Sequence, residues 1–187
     1  MKRISKITND ISELFQPNHQ LYKFYNNEPQ KFNLACASKD LLEDTCLALE
    51  NYEKTEFTSD YGDRYLKIHG FLQVVVLQQN SVSELYKIFV NDKFKISCCN
   101  ELQKIRDIRN SITGHPLNYK NKSGSRTTTI TRVTIEKYSI DLVETKIPEL
   151  NGISTKHIEL GKLYDFHKSK IIELLSEIVT KITEISV

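Results

Sequence analysis

The run Arg106-Asp107-Ile108-Arg109-Asn110-Ser111-Ile112-Thr113-Gly114-His115-Pro116 places a guanidinium, an amide and an imidazole within seven residues, at Arg109, Asn110 and His115. Arginine grips phosphate through paired hydrogen bonds and stays charged at any biological pH. Histidine exchanges a proton near neutrality. Together they are the minimum equipment for cleaving a phosphodiester with no metal and no cofactor. The cation holds the phosphoryl oxygens and the imidazole moves the proton.

The residues before this run read as the helix that positions it. At about 100° per residue, Leu102, Ile105, Ile108 and Ile112 form one apolar stripe, and Arg109 lies inside it. A charge on a buried face is costly unless something pairs with it. Arg109 therefore serves either a site or a buried ion pair, for which Glu43 and Glu84 are the candidate carboxylates. Arg106 lies about 60° from Arg109 around the helix. It reads as a surface charge paired with Asp107 or Glu101 that also adds positive potential. Gly114 suits the left-handed residue that closes many helices, and Pro116 disfavours helical geometry at His115. On an unbroken helix Arg109 and His115 would point about 120° apart. Breaking the helix at Gly114 lets His115 turn back, although a plain His-Pro helix stop gives the same pattern. Beyond the break, Tyr119 and Lys120 are further candidates for contact with a base or a nucleic-acid backbone.

Elsewhere the spacing predicts a mainly α protein, an up-and-down helical bundle. Ile4, Ile7, Ile11 and Leu14 predict an opening helix that ends before Pro17, and Asn18 to Tyr25 a short helical piece. Leu41, Leu42, Cys46, Leu49 and Tyr52 mark a helix starting at Lys31 or Ser38 and ending at Lys54. A long helix over about Arg64–Val90 is apolar nearly all round in its first half, which makes it the central one. Its Gln78 and Gln79 must find hydrogen-bond partners. Ser97 reads as the N-cap of the Arg109 helix. After a polar loop from Asn118 to Ser125, Arg126–Ile135 and Tyr138–Thr145 alternate with period two. They predict one isolated β-hairpin over 126–145, turning at Glu136-Lys137. A last helix, entered at Ser154 or Thr155, carries Leu163, Phe166, Lys170, Leu174, Ile178, Ile182 and Ile185 on one face.

Composition narrows the class. A chain of 187 residues, 39% hydrophobic and 27% charged, is sized for one soluble domain over 1–187. A net charge of +2 is too small for a protein that coats nucleic acid non-specifically, but not for one that grips one or two phosphates. No stretch has the length of a membrane helix. Cys36, Cys46, Cys98 and Cys99 make no C-x-x-C pair, and free thiols in a reducing cytoplasm are expected. No metal-ligand spacing and no Walker A, G-x-G-x-x-G or G-x-S-x-G motif is present. Cys98 stands about 25 Å along a helix from His115, too far to act with it within one subunit.

The Arg109-Asn110-(four residues)-His115 spacing resembles the signature of the HEPN superfamily. So do Leu102–Ile108 before it, Pro116 after it, and the upstream run from Ile68 to Tyr86. The resemblance covers about Tyr65 to Pro116. It implies a metal-independent endoribonuclease acting on single-stranded RNA by attack of the 2′-hydroxyl. Arg109 would bind the scissile phosphate, His115 would transfer a proton, and Asn110 would support both. It also implies a homodimer with the motifs of both subunits in one cleft. The biological setting would be a toxin or phage-defence effector, with an antitoxin or regulatory protein as partner. The alternative within the same family is a non-catalytic domain that binds a protein or a nucleotide.

Overall fold

The computed structural model describes residues 1–16, 21, 28–114, 116, 119–121, 124–147 and 152–185. The protein is mainly helical, with an antiparallel sheet inserted before its C-terminal helix. Among the described residues the α-helices are α1 (Lys2–Leu14), α2 (Pro29–Lys54), α3 (Tyr61–Phe89), α4 (Asn100–Arg109) and α5 (Leu160–Ile185). No helix among these residues is long and apolar enough to cross a membrane, and all four cysteines are free. The segment from Asn18 to Tyr25 lies outside the described residues except for Leu21, which is buried.

Local chemistry explains most boundaries. α2 starts earlier than its apolar spacing predicts because Pro29 is preset for a first helical turn. Asp60 caps α3, its carboxylate accepting the backbone N–H of Asp63 at 2.9 Å. Ser97 does not cap α4. A 3₁₀ turn over Ile96–Cys98 intervenes, and Cys99 holds the cap position with no side-chain bond.

The strands are β1 (Tyr119–Asn121), β2 (Gly124–Ile130), β3 (Ser139–Ile147) and β4 (Ile153–Glu159), all antiparallel and in sequence order. The expected pairing of the two alternating segments is present, with Ile130 opposite Leu142. Three details of the expected hairpin are corrected. It is not isolated, since β1 and β4 flank it, and much of the expected 118–125 loop is strand. Its connection is longer than the Glu136-Lys137 turn, because β2 stops at Ile130 and gives way to a 3₁₀ turn over Arg132–Thr134. Period two puts Thr128 and Ile130 on the buried face and would put Ile135 on the other. The 3₁₀ turn resets that phase and buries Ile135. The last helix begins at Leu160, not Ser154 or Thr155, because Ile153–Glu159 pairs with β3. Only Ile158 of β4 is buried, so this polar edge strand shows no apolar alternation. Consequently the buried stripe of α5 runs through Leu160, Tyr164, His167, Ile171, Leu174, Ile178 and Ile182, while Phe166 is exposed.

The sheet is part of the core. Ile130, Ile140, Leu142 and Ile158 pack with Ile68, Phe71, Leu72 and Val75 of α3 and with Ile105 and Ile112. Val133, by contrast, is 65% exposed. A second apolar cluster joins Ile4 and Ile11 of α1, Leu42 of α2, Val82 and Leu85 of α3, and Ile171, Leu174 and Ile178 of α5. Between the two lies a buried polar bridge. Gln78 donates through Nε2 to Cys46 Sγ at 3.5 Å, and its Oε1 shares a hydrogen bond with His167 Nε2 at 2.9 Å. The His167 Nδ1 has no partner. With Gln78 already using its amide N–H on Cys46, the neutral ring with a proton on Nε2 satisfies both groups.

Burial pushes the His167 pKa from its ordinary 6.5 down to about 3. The folded state therefore resists a proton that the unfolded chain accepts, and folding stability falls as the pH drops from about 6.5 towards 3. The maximum contribution is about 1.4 kcal/mol per pH unit for one proton. Urea unfolding from pH 7 to pH 5 should show this loss in the native sequence. His167→Phe should flatten the slope even though it lowers stability at pH 7. Equal slopes would contradict a neutral His167.

Candidate functional site

The Arg109 helix does not end where an α-helix would. After Arg109 it widens into a π turn over Asn110–Gly114. Widening fits an extra residue into the last turn and rotates the downstream backbone away from the α-helical continuation. Ser111 Oγ donates to the Ile108 carbonyl at 2.8 Å, occupying an oxygen at the transition. Gly114 is not in the left-handed conformation expected of a helix-closing glycine, and a Cβ there would meet only Asn110 Oδ1, at 4.0 Å. Among the described residues the departure from α-helix at the motif is therefore the π turn and not a left-handed glycine. Ile112 is buried in the core, while Thr113 and Gly114 are exposed. His115 lies outside the described residues.

Arg109 is half-buried. Its Nε is buried and has no hydrogen-bond partner, and the guanidinium makes no ion pair with a described carboxylate. The two carboxylates expected as possible partners are engaged elsewhere: Glu43 with Ser12 and Lys39, and Glu84 with Lys87. The cost of partly burying this cation is therefore not offset by a described anion.

Arg106 is also half-buried, which corrects its reading as a surface charge. It bonds neither Asp107 nor Glu101. Its Nη1 donates to Asn80 Oδ1 at 2.8 Å and to Gln79 Oε1 at 3.3 Å, both on α3. Asp107 accepts from Gln103 instead. Burial first, and then the nearby Arg109 guanidinium, push the Arg106 pKa below the usual arginine range. It stays charged at neutral pH. The hydrogen-bond partners of Arg106 are neutral amides, and the neighbouring Asp107 carboxylate offsets its charge only at a distance. Gln79, wholly buried, also donates to the Leu102 carbonyl at 3.4 Å and so locks α4 against α3.

A second histidine reaches the π turn. His69 of α3 shares a hydrogen bond with Thr113 Oγ1 through Nδ1, at 2.9 Å. Its ring lies against that of Tyr65, tilted by 36° with 4.3 Å between centroids. Burial lowers the His69 pKa, so the ring is neutral at pH 7, and its Nε2 is buried without a partner. The i, i+4 spacing of Tyr65 and His69 was the available sequence signal, since it places both on one helical face. What that face would meet was not readable. Tyr119 and Lys120 lie in β1, paired in register with Arg126 and Ser125. No group of three or more His, Cys, Asp or Glu side chains among the described residues is arranged to hold a metal.

Two neighbouring guanidiniums with no direct carboxylate partner among the described residues, Arg106 anchored by the Gln79 and Asn80 amides and Arg109 unanchored, are suited to an anion with oxygens on more than one side. The anchoring amide is testable. Gln79→Met keeps the volume but removes the second donor to the Leu102 carbonyl, which keeps its helical bond, and removes one acceptor from the charged Arg106. Urea unfolding should show a loss of about 1–3 kcal/mol. Asn80→Ala, at a half-exposed position, should cost less. An unchanged midpoint for Gln79→Met would show that α4 docks without the amide.

No protein-family model, curated protein or solved structure matches this chain.

Proposed function

We propose that this protein is an HEPN-like endoribonuclease that cuts single-stranded RNA without a metal and works as a homodimer. The observation that carries the reading is the half-buried Arg109, with a buried, unpartnered Nε and no described carboxylate at its guanidinium. A structural arginine in that position would be paired. The spacing from Arg109 through Asn110 to His115 supplies the rest of the proposal.

In the proposed reaction the RNA 2′-oxygen attacks its own phosphorus and the bond from phosphorus to the 5′-oxygen breaks. One proton leaves the 2′-hydroxyl and one is delivered to the departing 5′-oxygen. The products are a 2′,3′-cyclic phosphate and a 5′-hydroxyl. Arg109 neutralises charge building on the non-bridging oxygens, and Arg106 adds potential from a position set by Gln79 and Asn80. His115 transfers a proton, a role worth about 10²- to 10⁴-fold in such reactions. Asn110 orients the phosphate or the imidazole. The setting implied by the resemblance is a toxin or phage-defence effector, held in check by an antitoxin or regulatory protein.

Two experiments bear on this reading. End-labelled single-stranded RNA should be cut by the native sequence with or without EDTA, and by neither His115→Ala nor Arg109→Ala. Cutting that needs magnesium, or that survives His115→Ala, would overturn the mechanism. Binding without any cutting would favour a non-catalytic domain of the same kind. One Arg and one His make a sparse site, and a two-fold axis doubles them. Light scattering at micromolar concentration should therefore give twice the 21.7 kDa chain mass. A monomer throughout would remove the paired cleft from the proposal.

A further inference from the structure

A cleft of about 460 Å³ opens between the first turns of α3, the π turn and β2. Its walls include Tyr61, Tyr65, Ile112, Pro116, Thr129 and Arg132. The motif itself supplies one side, through Ile112 and Pro116, less than one helical turn and seven residues beyond Arg109 respectively. The cleft is within the size range of small-molecule sites, about 300–1,000 Å³.

The two tyrosines are its distinctive feature. Tyr61 is 47% exposed and Tyr65 42% exposed, although the apolar core lies one turn further along the same helix. Both are braced. His69 covers one side of the Tyr65 ring and is itself tied to Thr113. The Arg64 guanidinium stands 5.9 Å from the Tyr61 ring centroid. Hydrogen bonds from Arg64 to the Thr58 and Ile135 carbonyls hold it there. Rings fixed in this way lose little further freedom when a planar ligand stacks on them. Arg132 is exposed and makes no ion pair with a described carboxylate, so the apolar cleft carries a cation at its edge. The exposed Thr129 adds a hydroxyl able to donate or accept.

We infer that this cleft takes one base of a single-stranded RNA, stacked on Tyr65 and Tyr61, with Arg132 meeting the adjoining backbone phosphate. The base belongs to a nucleotide next to the phosphate held at Arg109. The assignment of RNA rests on the ribonuclease reading. The braced aromatic pair and the flanking cation favour a nucleotide over a protein segment. Stacking is tolerant of sequence, because every base has an aromatic face. The cleft would thus enforce single-strandedness, since a base paired within a duplex cannot enter.

The test compares two fluorescein-labelled oligomers by anisotropy, using the full chain. One is an octamer of 2′-O-methyl uridine, which cannot undergo 2′ attack. The other is the same sugar-phosphate octamer without bases. The native sequence should bind the uridine oligomer about tenfold or more tightly than the abasic one. Tyr65→Ala and Tyr61→Ala should each reduce that preference, and the double variant should abolish it. Tyr65→Phe should keep it. Salt-sensitive binding of the abasic oligomer should persist in all of them. Equal affinity for the two oligomers in the native sequence, or an intact preference in the double variant, would overturn the inference. A parallel assay with cleavable uridine RNA separates the two proposals. A base preference without cutting would leave the cleft and remove the ribonuclease. Cutting with an unchanged KM in the double variant would do the reverse. Binding of neither oligomer would remove both.

Discussion

Two adjacent buried amides hold this protein in register. Gln78 and Gln79 are both wholly buried on α3, and as neighbours on a helix they point about 100° apart. A buried amide without partners costs more than its hydrogen bonds contribute when made. Each glutamine must therefore be met by a different neighbour. Gln78 is met by Cys46 of α2 and His167 of α5, and Gln79 by the Leu102 carbonyl and Arg106 of α4. Apolar packing brings these helices to α3 but tolerates sliding. The amides do not, because a shift of one residue would leave donors and acceptors unpaired in the core. This turns α3 from a hydrophobic rod into a ruler for three other helices.

The candidate site inherits that precision. Arg106 is fixed by α3 amides, and Arg109 comes one turn later on the same short helix. Two like charges in a half-buried place repel each other, and neither makes an ion pair with a described carboxylate. The Gln79 contact to the α4 backbone and the burial of Leu102, Ile105 and Ile112 hold the helix in place nonetheless. Stability from the core thus maintains a local arrangement that is unfavourable on its own, a relation common at functional sites. The π turn belongs to the same arrangement. It keeps Ile112 in the core while exposing Thr113 and Gly114, and His69 reaches across from α3 to hold it.

The sheet completes the wall opposite the π turn. Ile130, Ile140 and Leu142 close the apolar cluster around the first half of α3, and the C-terminal end of β2 lines the cleft beside Tyr65. The residues of β4 are almost all exposed, so this strand extends the sheet mainly through backbone pairing. The pairing of His157 with Asp141 across β3 and β4, at 2.6 Å, adds a cross-strand contact on the exposed side.

Much of this architecture is legible in the chain itself. Helical spacing locates α1, α3 and the motif helix, and β-branched alternation locates the pairing of β2 with β3. These are local signals, in which each residue reports its own face. The apolar stripe through Leu102, Ile105 and Ile112 also marks Arg109 as an oddity by spacing alone. The features that stay hidden depend on what lies opposite. β4 has one buried residue and so no period to detect. The α5 stripe includes His167 and Tyr164, whose burial is acceptable only because Gln78 and the neighbouring aromatic rings face them. Arg106 reads as a surface charge because its partners, Gln79 and Asn80, come from another helix. His69 and Tyr65 gain significance only where α3 places them against the π turn. Sequence alone therefore determined which segments are helix or strand and which cation was out of place. Tertiary structure decided which polar groups satisfy one another, because hydrogen-bond partnership depends on distance in space rather than on order along the chain.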